Sequence, residues 1–318
     1  MVSNYLIAFV IIISLNFTLP RLMPGNPLQA IYGEEALIAM TPELKQQLTE
    51  RFALESSLWE QLQSYLLNLA KGDLGYSYYY NAPVSEVILG ALPWTMLLVG
   101  SALVLSTLLG VVLGIESGWR RGKGSDKVLL TGLVMLNGFP DFFLGMLLLL
   151  IFGISLNVLP LSGAISPYAG LTGPALVLDV LTHLLLPLTA LTLAGVTGSF
   201  LLTRNTMIGV LRAPFILTAR AKGLSPRVIR YRHAGRNSML PVVTRAGVMA
   251  GRMATGVLFV EMVFSYPGLG HLVHSALAAR DYPVLQGVLF VITVSVLSIN
   301  LLTDLLYSKL DPRVSYAR

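Results

Sequence analysis

The sequence predicts an all-α integral membrane protein that crosses the bilayer six times. Three observations carry that expectation. Hydrophobic residues make up 54% of the chain and charged residues only 12%, with a mean hydropathy of +0.71, where a soluble domain carries about 25% charged residues. Apolar runs approaching the roughly 20 residues needed to cross a bilayer recur at about 5–19, 91–115, 128–156, 175–202, 239–264 and 284–306. The cations are concentrated in alternate loops, so the net charge of +6 speaks for orientation in a membrane before nucleic acid. Cysteine is absent, which excludes disulfides and thiolate metal sites and leaves the redox compartment open.

The elements follow in order within a single transmembrane domain, 1–318. Segment 5–19 is short and closes at Pro20; Asn16–Pro20 lacks the small residues of a signal cleavage site, so retention is expected. Region 21–90 is polar. Thr41-Pro42-Glu43 caps a helix marked by Leu44, Leu48 and Phe52, and Leu58, Leu62, Tyr65, Leu66 and Leu69 mark a second amphipathic helix ending at Gly72–Ser77. This insertion either caps the bundle or helps receive substrate. The third span is broken at Gly138-Phe139-Pro140, where proline frees a carbonyl and kinks the helix. The fourth is expected to be interrupted between His183 and Pro187.

Loops 116–127 and 204–237 and the tail after 307 hold most lysines and arginines, including Arg120, Arg121, Lys123, Arg204, Arg227 and Arg230. The opposite side holds only Arg21, Lys45, Arg51, Lys71 and Arg280. Positive loops stay inside, so both termini are expected in the cytoplasm and 21–90 outside.

The stretch Ala213–Pro241 is the longest basic interruption between apolar segments. Pro214 suits a first helical position. Thr218-Ala219-Arg220-Ala221-Lys222 continues that helix, Gly223 can close it in the left-handed conformation, and Leu224 leads to Ser225-Pro226, which restart a helix through Arg227, Arg230 and His233. The small side chains of Ala219 and Ala221 are expected to leave a low surface for a second protein. No nucleotide pocket is legible: between Gly118 and Gly122 only three residues intervene, and Gly124 follows Lys123 where the phosphate loop needs Ser or Thr.

T-A-R-A-K-G-L-S at 218–225, followed by R-H-A-x-R-N and L-P, resembles the cytoplasmic signature of ABC importer permeases of the peptide/nickel type. The turn-rich entry R-L-x-P-G-x-P at 21–27, G-D-L-G-Y-S at 72–77, P-x-F-F-L-G at 140–145, H-L-x-L-P at 183–187, E-x-V-F-x-x-P-G-L-G at 261–270, R-D-Y-P at 280–283 and the ending Leu310-Asp311-Pro312-Arg313 are similar to family motifs, so the resemblance spans Arg21 to Arg313. Two departures from the general permease signature, Leu217 in place of an acidic residue and a longer distance from Gly223 to Pro241, are usual in this branch. The resemblance implies a type I permease in the cytoplasmic (inner) membrane of a prokaryote, with the 213–236 loop as coupling helix. It further implies a second similar permease, one or two ATPase subunits that hold ATP and magnesium, and an external solute-binding protein. This chain itself would hold no cofactor and perform no covalent chemistry. Peptides are the substrate implied first, then nickel or a metal chelate, with oligosaccharides also in this branch.

Ionisable residues within the spans are Asp141, Arg245, Arg252, Glu261 and Asp304. A charge at mid-bilayer costs about 2.5–3.5 kcal/mol on insertion scales, so it faces a bundle interior or water. Arg245 and Arg252 share a helix face, and Asp141 is expected near Arg252, either as a registry-fixing pair or along the substrate pathway. Asp141, Arg245, Arg252 and Glu261 are the candidates for the translocation pathway, although Glu261, like Asp304, fits a family position and also reads as structural. His271 and His274 are too few ligands for a metal site. An intramembrane hydrolase would need a nucleophile beside His183, and a passive channel would need no motor-binding loop.

Overall fold

The computed structural model describes residues 2–22, 41, 57–77 and 79–310; the expected helix around Leu44–Phe52, the turn at Met23–Pro27 and the tail after Leu310 lie outside the described residues. The chain divides into two units, Met1–Pro93 with Pro267–Leu297, and Trp94–Tyr266 with Ser298–Arg318.

In the first unit, α1 (Val2–Arg21) runs through Pro20, because the Leu22 amide bonds the Thr18 carbonyl at 3.2 Å and sustains the last turn. Helix α2 (Leu58–Ala70) starts at a capping box that the hydrophobic pattern did not reveal. Ser57 Oγ accepts from the Glu60 amide at 3.3 Å, and Glu60 Oε2 accepts from the Ser57 amide at 3.0 Å. The Tyr65 ring lies 5.8 Å from that of Phe17 and joins α2 to α1. A two-stranded antiparallel hairpin, β1 (Tyr76–Ser77) and β2 (Ala82–Pro83), follows. Its Ser77 hydroxyl donates to the buried Asp281 carboxylate, which also accepts from the Val284 amide at 3.2 Å. Burial pushes the Asp281 carboxyl above its ordinary range, against these donors and the Tyr79 amide, which pull it down. The apolar core joins Val84 and Ile88 at the start of α3 (Val84–Trp119) to Leu272, Val273 and Ala276, and to Val284 and Val288.

The second unit holds the rest of α3, then α4 (Gly124–Leu136), α5 (Asp141–Leu148), α6 (Gly173–Val210), α7 (Pro214–Ala221), α8 (Pro226–Val228) and α9 (Arg236–Val263). Gly110, Gly114 and Gly118 form a stripe along α3 at intervals of one turn. Built-on Cβ atoms there would come within 2.5, 2.6 and 2.8 Å of Ser199, Thr203 and Met207 of α6, the small-residue seam that lets membrane helices touch backbone to backbone. The predicted break at Gly138–Pro140 is present: α4 and the α5 segment, continued as π-helix over Leu149–Ser155, meet at 100°.

The interruption expected in the fourth span is absent. Helix α6 continues through Pro187, which removes one backbone bond while Leu184, Leu186 and Pro187 itself stay buried. Its Asp179 carboxylate accepts from both the amide and hydroxyl of Ser166 at 2.7 Å, pinning the preceding loop. Leu98, Leu184, Leu191, Val257, Val260 and Phe264 make the central core between α3, α6 and α9.

Among the described residues three helices are long and apolar enough to cross a membrane: Val84–Trp119, Gly173–Val210 and Tyr282–Thr303 of α11 (Tyr282–Leu310). The bent pair makes a fourth. The first of the expected spans is a shorter apolar helix, Tyr5–Thr18. Helix α9, with 28 residues, reaches about 42 Å at 1.5 Å per residue. Helix α10 (Leu269–Ala279) ends at Arg280, whose φ of 52° is left-handed.

Candidate functional site

The basic stretch after α6 folds as its punctuation predicts. Ala213 is extended, Pro214 is the first residue of α7, and Gly223 has φ +70°. The Gly223 amide bonds Arg220 O at 2.9 Å, and the Leu224 amide bonds Ala219 O at 3.3 Å. These are the two bonds of a Schellman closure, which needs a left-handed residue at this point. Ser225 stands at the N-cap position of a new helix, without a side-chain cap bond, and Pro226 is its first residue; the helix passes into a π-helical turn over Ile229–Gly235 before α9.

One expectation about this surface is corrected. Ala219 does not offer low ground to a partner: it is 5% exposed and turns inward with Ile216, three residues away on the same face. Both pack with Val111, Ile115, Met207 and Val242, so the small side chain lets α7 lie close to its own chain. The outer face carries Phe215, Leu217, Thr218, Arg220, Ala221 and Lys222, all exposed. Phe215 and Leu217 are 43% and 64% exposed, which makes this face apolar at its start and cationic at its end.

Two carboxylates key this loop to the turn between α3 and α4, and a reading that counted only its cations missed both. Glu116 takes Arg230 Nη1 at 2.7 and 3.0 Å and the Tyr231 hydroxyl, while the Arg230 guanidinium stacks 5.0 Å from the Trp119 ring centre. Asp126 receives Arg204 Nε at 2.7 Å and Nη2 at 2.9 Å, the Ser117 hydroxyl and the Gly122 amide. The Asp126 side chain is 4% exposed and that of Arg204 13%, so the pair is a bidentate, nearly dry clamp. The available signal was two acids, Glu116 and Asp126, in a stretch whose other charges are all cations, but their partners lie 114 and 78 residues away in sequence.

The membrane carboxylates are placed differently from one another. Asp141 opens α5 after Pro140, and its carboxylate lies against Gly256 of α9, where a Cβ would sit 2.1 Å from Oδ2. It therefore faces the helix that carries Arg245 and Arg252, whose side chains, like that of Asp304, lie outside the described residues, as does the expected Asp141–Arg252 pairing. Glu261 is fully buried and accepts from the Thr95 hydroxyl at 2.7 Å. His183 Nδ1 sits 2.8 Å from Asp179 O, while Ser166 is bonded to the Asp179 carboxylate, so these three do not form a serine–histidine relay. Among the described residues no cluster of three or more potential ligands for a metal ion occurs.

Residues 106–316 match the family model of the binding-protein-dependent transport system inner membrane component. The chain is similar to the dipeptide transport system permease protein DppB of Alkalihalophilus pseudofirmus, 36% identical over 94% of this chain and 93% of that one. It is similar to DppB of Escherichia coli K12, 33% identical over 98% and 96% of the two chains. It is 34% identical to the glutathione transport system permease protein GsiC of Salmonella choleraesuis over 96% of this chain and 94% of that one. The glycine seam, the broken third span and the capped basic loop of the second unit all fall within the matched residues, and the chain belongs to the family of binding-protein-dependent transport system inner membrane components.

Proposed function

We propose that this chain is one transmembrane half of an ATP-driven importer that carries dipeptides and short oligopeptides across the inner membrane. Relatives named for dipeptide and glutathione transport align over nearly the whole of both chains, and this observation carries the reading. Six spans place both termini and the 204–237 loop in the cytoplasm, and the 21–90 region outside, where a solute-binding protein delivers the substrate. A second permease completes the pathway, and membrane lipid surrounds the pair.

The motor is a partner ATPase, one or two copies, holding ATP and magnesium. Thr218 and residues Arg220 to Ser225 form the contact, with Phe215 and Leu217 supplying apolar area and Arg220 and Lys222 charge, while Ala219 seats the helix on its own chain. The Glu116–Arg230 and Asp126–Arg204 clamps support this role, because a docked helix transmits movement only if it moves with the spans. Switching then needs two packings of the bundle that differ in affinity for the motor. Asp141, Arg245 and Arg252 meet the charged ends of a passing peptide, while Glu261 holds the end of α9 in place.

The test is uptake by the whole assembly in proteoliposomes, with radiolabelled dialanine and nickel ion offered separately. ATP-dependent accumulation of dialanine is expected. Accumulation of nickel without dialanine would replace the peptide reading with a metal importer.

A further inference from the structure

We propose that the cavity between α2 and the start of α11 is a receiving subsite for the amino end of a peptide, an inference that rests on the peptide-import reading. The cavity measures about 200 Å³ and lies wholly within the first unit. Gln61, Asn68, Asp73 and Gln286 line it together with Leu74 and Pro283. Gln286 is the unusual member. It is only 8% exposed, its neighbours Val284, Leu285 and Val288 form the apolar core, and its amide nitrogen has no hydrogen-bond partner. Leaving a buried amide unsatisfied costs about 1–3 kcal/mol, a cost that leucine or methionine at this position would not carry. A ligand that completes the bond is the physical reason for a glutamine there.

The lining specifies the ligand's chemistry. Among the described residues that line it there is no lysine, arginine or histidine, so none of them offers a cation to a free carboxylate. Asp73 supplies negative charge: its Oδ1 accepts from the Gly75 amide at 2.8 Å, which leaves Oδ2 for an ammonium. A carboxamide carries the same donor and acceptor as a peptide group, so Gln286 pairs with a peptide bond. An ammonium followed by an amide is the amino end of a peptide. Sites for drug-sized molecules run to about 300–1,000 Å³, so this smaller space takes one end of a peptide and leaves the rest free.

The experiment uses the whole assembly and a photoactivatable dipeptide, photo-leucyl-alanine, with the labelled segments mapped by mass spectrometry. The parent should be labelled within 68–75 or 283–287. Excess dialanine should suppress that label and N-acetyl-dialanine should not. Gln286→Met, which keeps the volume and removes an unsatisfied group, should leave the thermal midpoint equal or higher and cut labelling at least tenfold. Asp73→Asn, which preserves the acceptor for Gly75, should abolish the discrimination between the two competitors. An assembly that imports dialanine yet shows no label there, or the same label in both variants, overturns the subsite alone. An assembly that imports no peptide overturns the import reading and the subsite with it.

Discussion

Replacing Gly223 with valine isolates the role of the loop, because the perturbation is conformational and nothing else. Gly223 has φ +70°, and a Cβ there meets no atom within 4 Å, so no neighbour is pushed aside. What changes is the left-handed backbone, which costs an L-residue roughly 1–2 kcal/mol and is a true outlier for a β-branched one. Taking about 2 kcal/mol for valine, the population with α7 closed by the Arg220 and Ala219 bonds falls roughly thirtyfold. Alanine should cost about 1 kcal/mol, near fivefold, and asparagine, which tolerates this region, far less. The assay is paired: retention of the ATPase subunits on an affinity-tagged permease, and ATP-dependent uptake of dialanine in proteoliposomes. Both should fall in the order Gly, Asn, Ala, Val, with membrane insertion unchanged. Parent-like retention and uptake in Gly223→Val would refute the argument that this closure positions the motor contact.

The remaining expectations concern the frame around that loop. Asp126→Ala leaves Arg204 nearly buried without its partner and should destabilise the permease by about 3–5 kcal/mol, read as a lowered thermal midpoint; the double change Asp126→Leu with Arg204→Met should recover most of it. Gly114→Ala places a methyl 2.6 Å from Thr203 Cβ and 2.8 Å from the Phe200 carbonyl, and overpacking of this kind costs about 1–3 kcal/mol, visible in the same melt. Asp281 has a raised pKa in the folded state because it is buried, so its contribution is fully present below the ordinary aspartate value and is lost as pH rises through the raised one; the thermal midpoint of the parent should therefore fall more than that of Asp281→Asn on going from acid to neutral pH. Arg252→Met should lower peptide uptake with no loss of assembled complex; loss of both together would make Arg252 a structural residue instead.

What was legible in the amino-acid order is whatever neighbouring residues decide. Long apolar runs separated by basic loops announced the membrane helices. Pro140 announced the break in the third one, and Pro214, Gly223 and Ser225-Pro226 announced the capped helix and its restart, because caps and kinks depend on a few adjacent backbone groups. The same local reasoning overreached at Pro187, where buried neighbours on α6 hold the helix through the proline, and at Ala219, whose direction was set by the wall it packs on. Tertiary structure alone decided the Asp126–Arg204 and Glu116–Arg230 clamps, the seating of Asp141 against Gly256, and the enclosure of Gln286 beside α2. Each joins residues far apart in the chain, and a side chain's spacing to its sequence neighbours carries no information about which distant surface will exclude water from it.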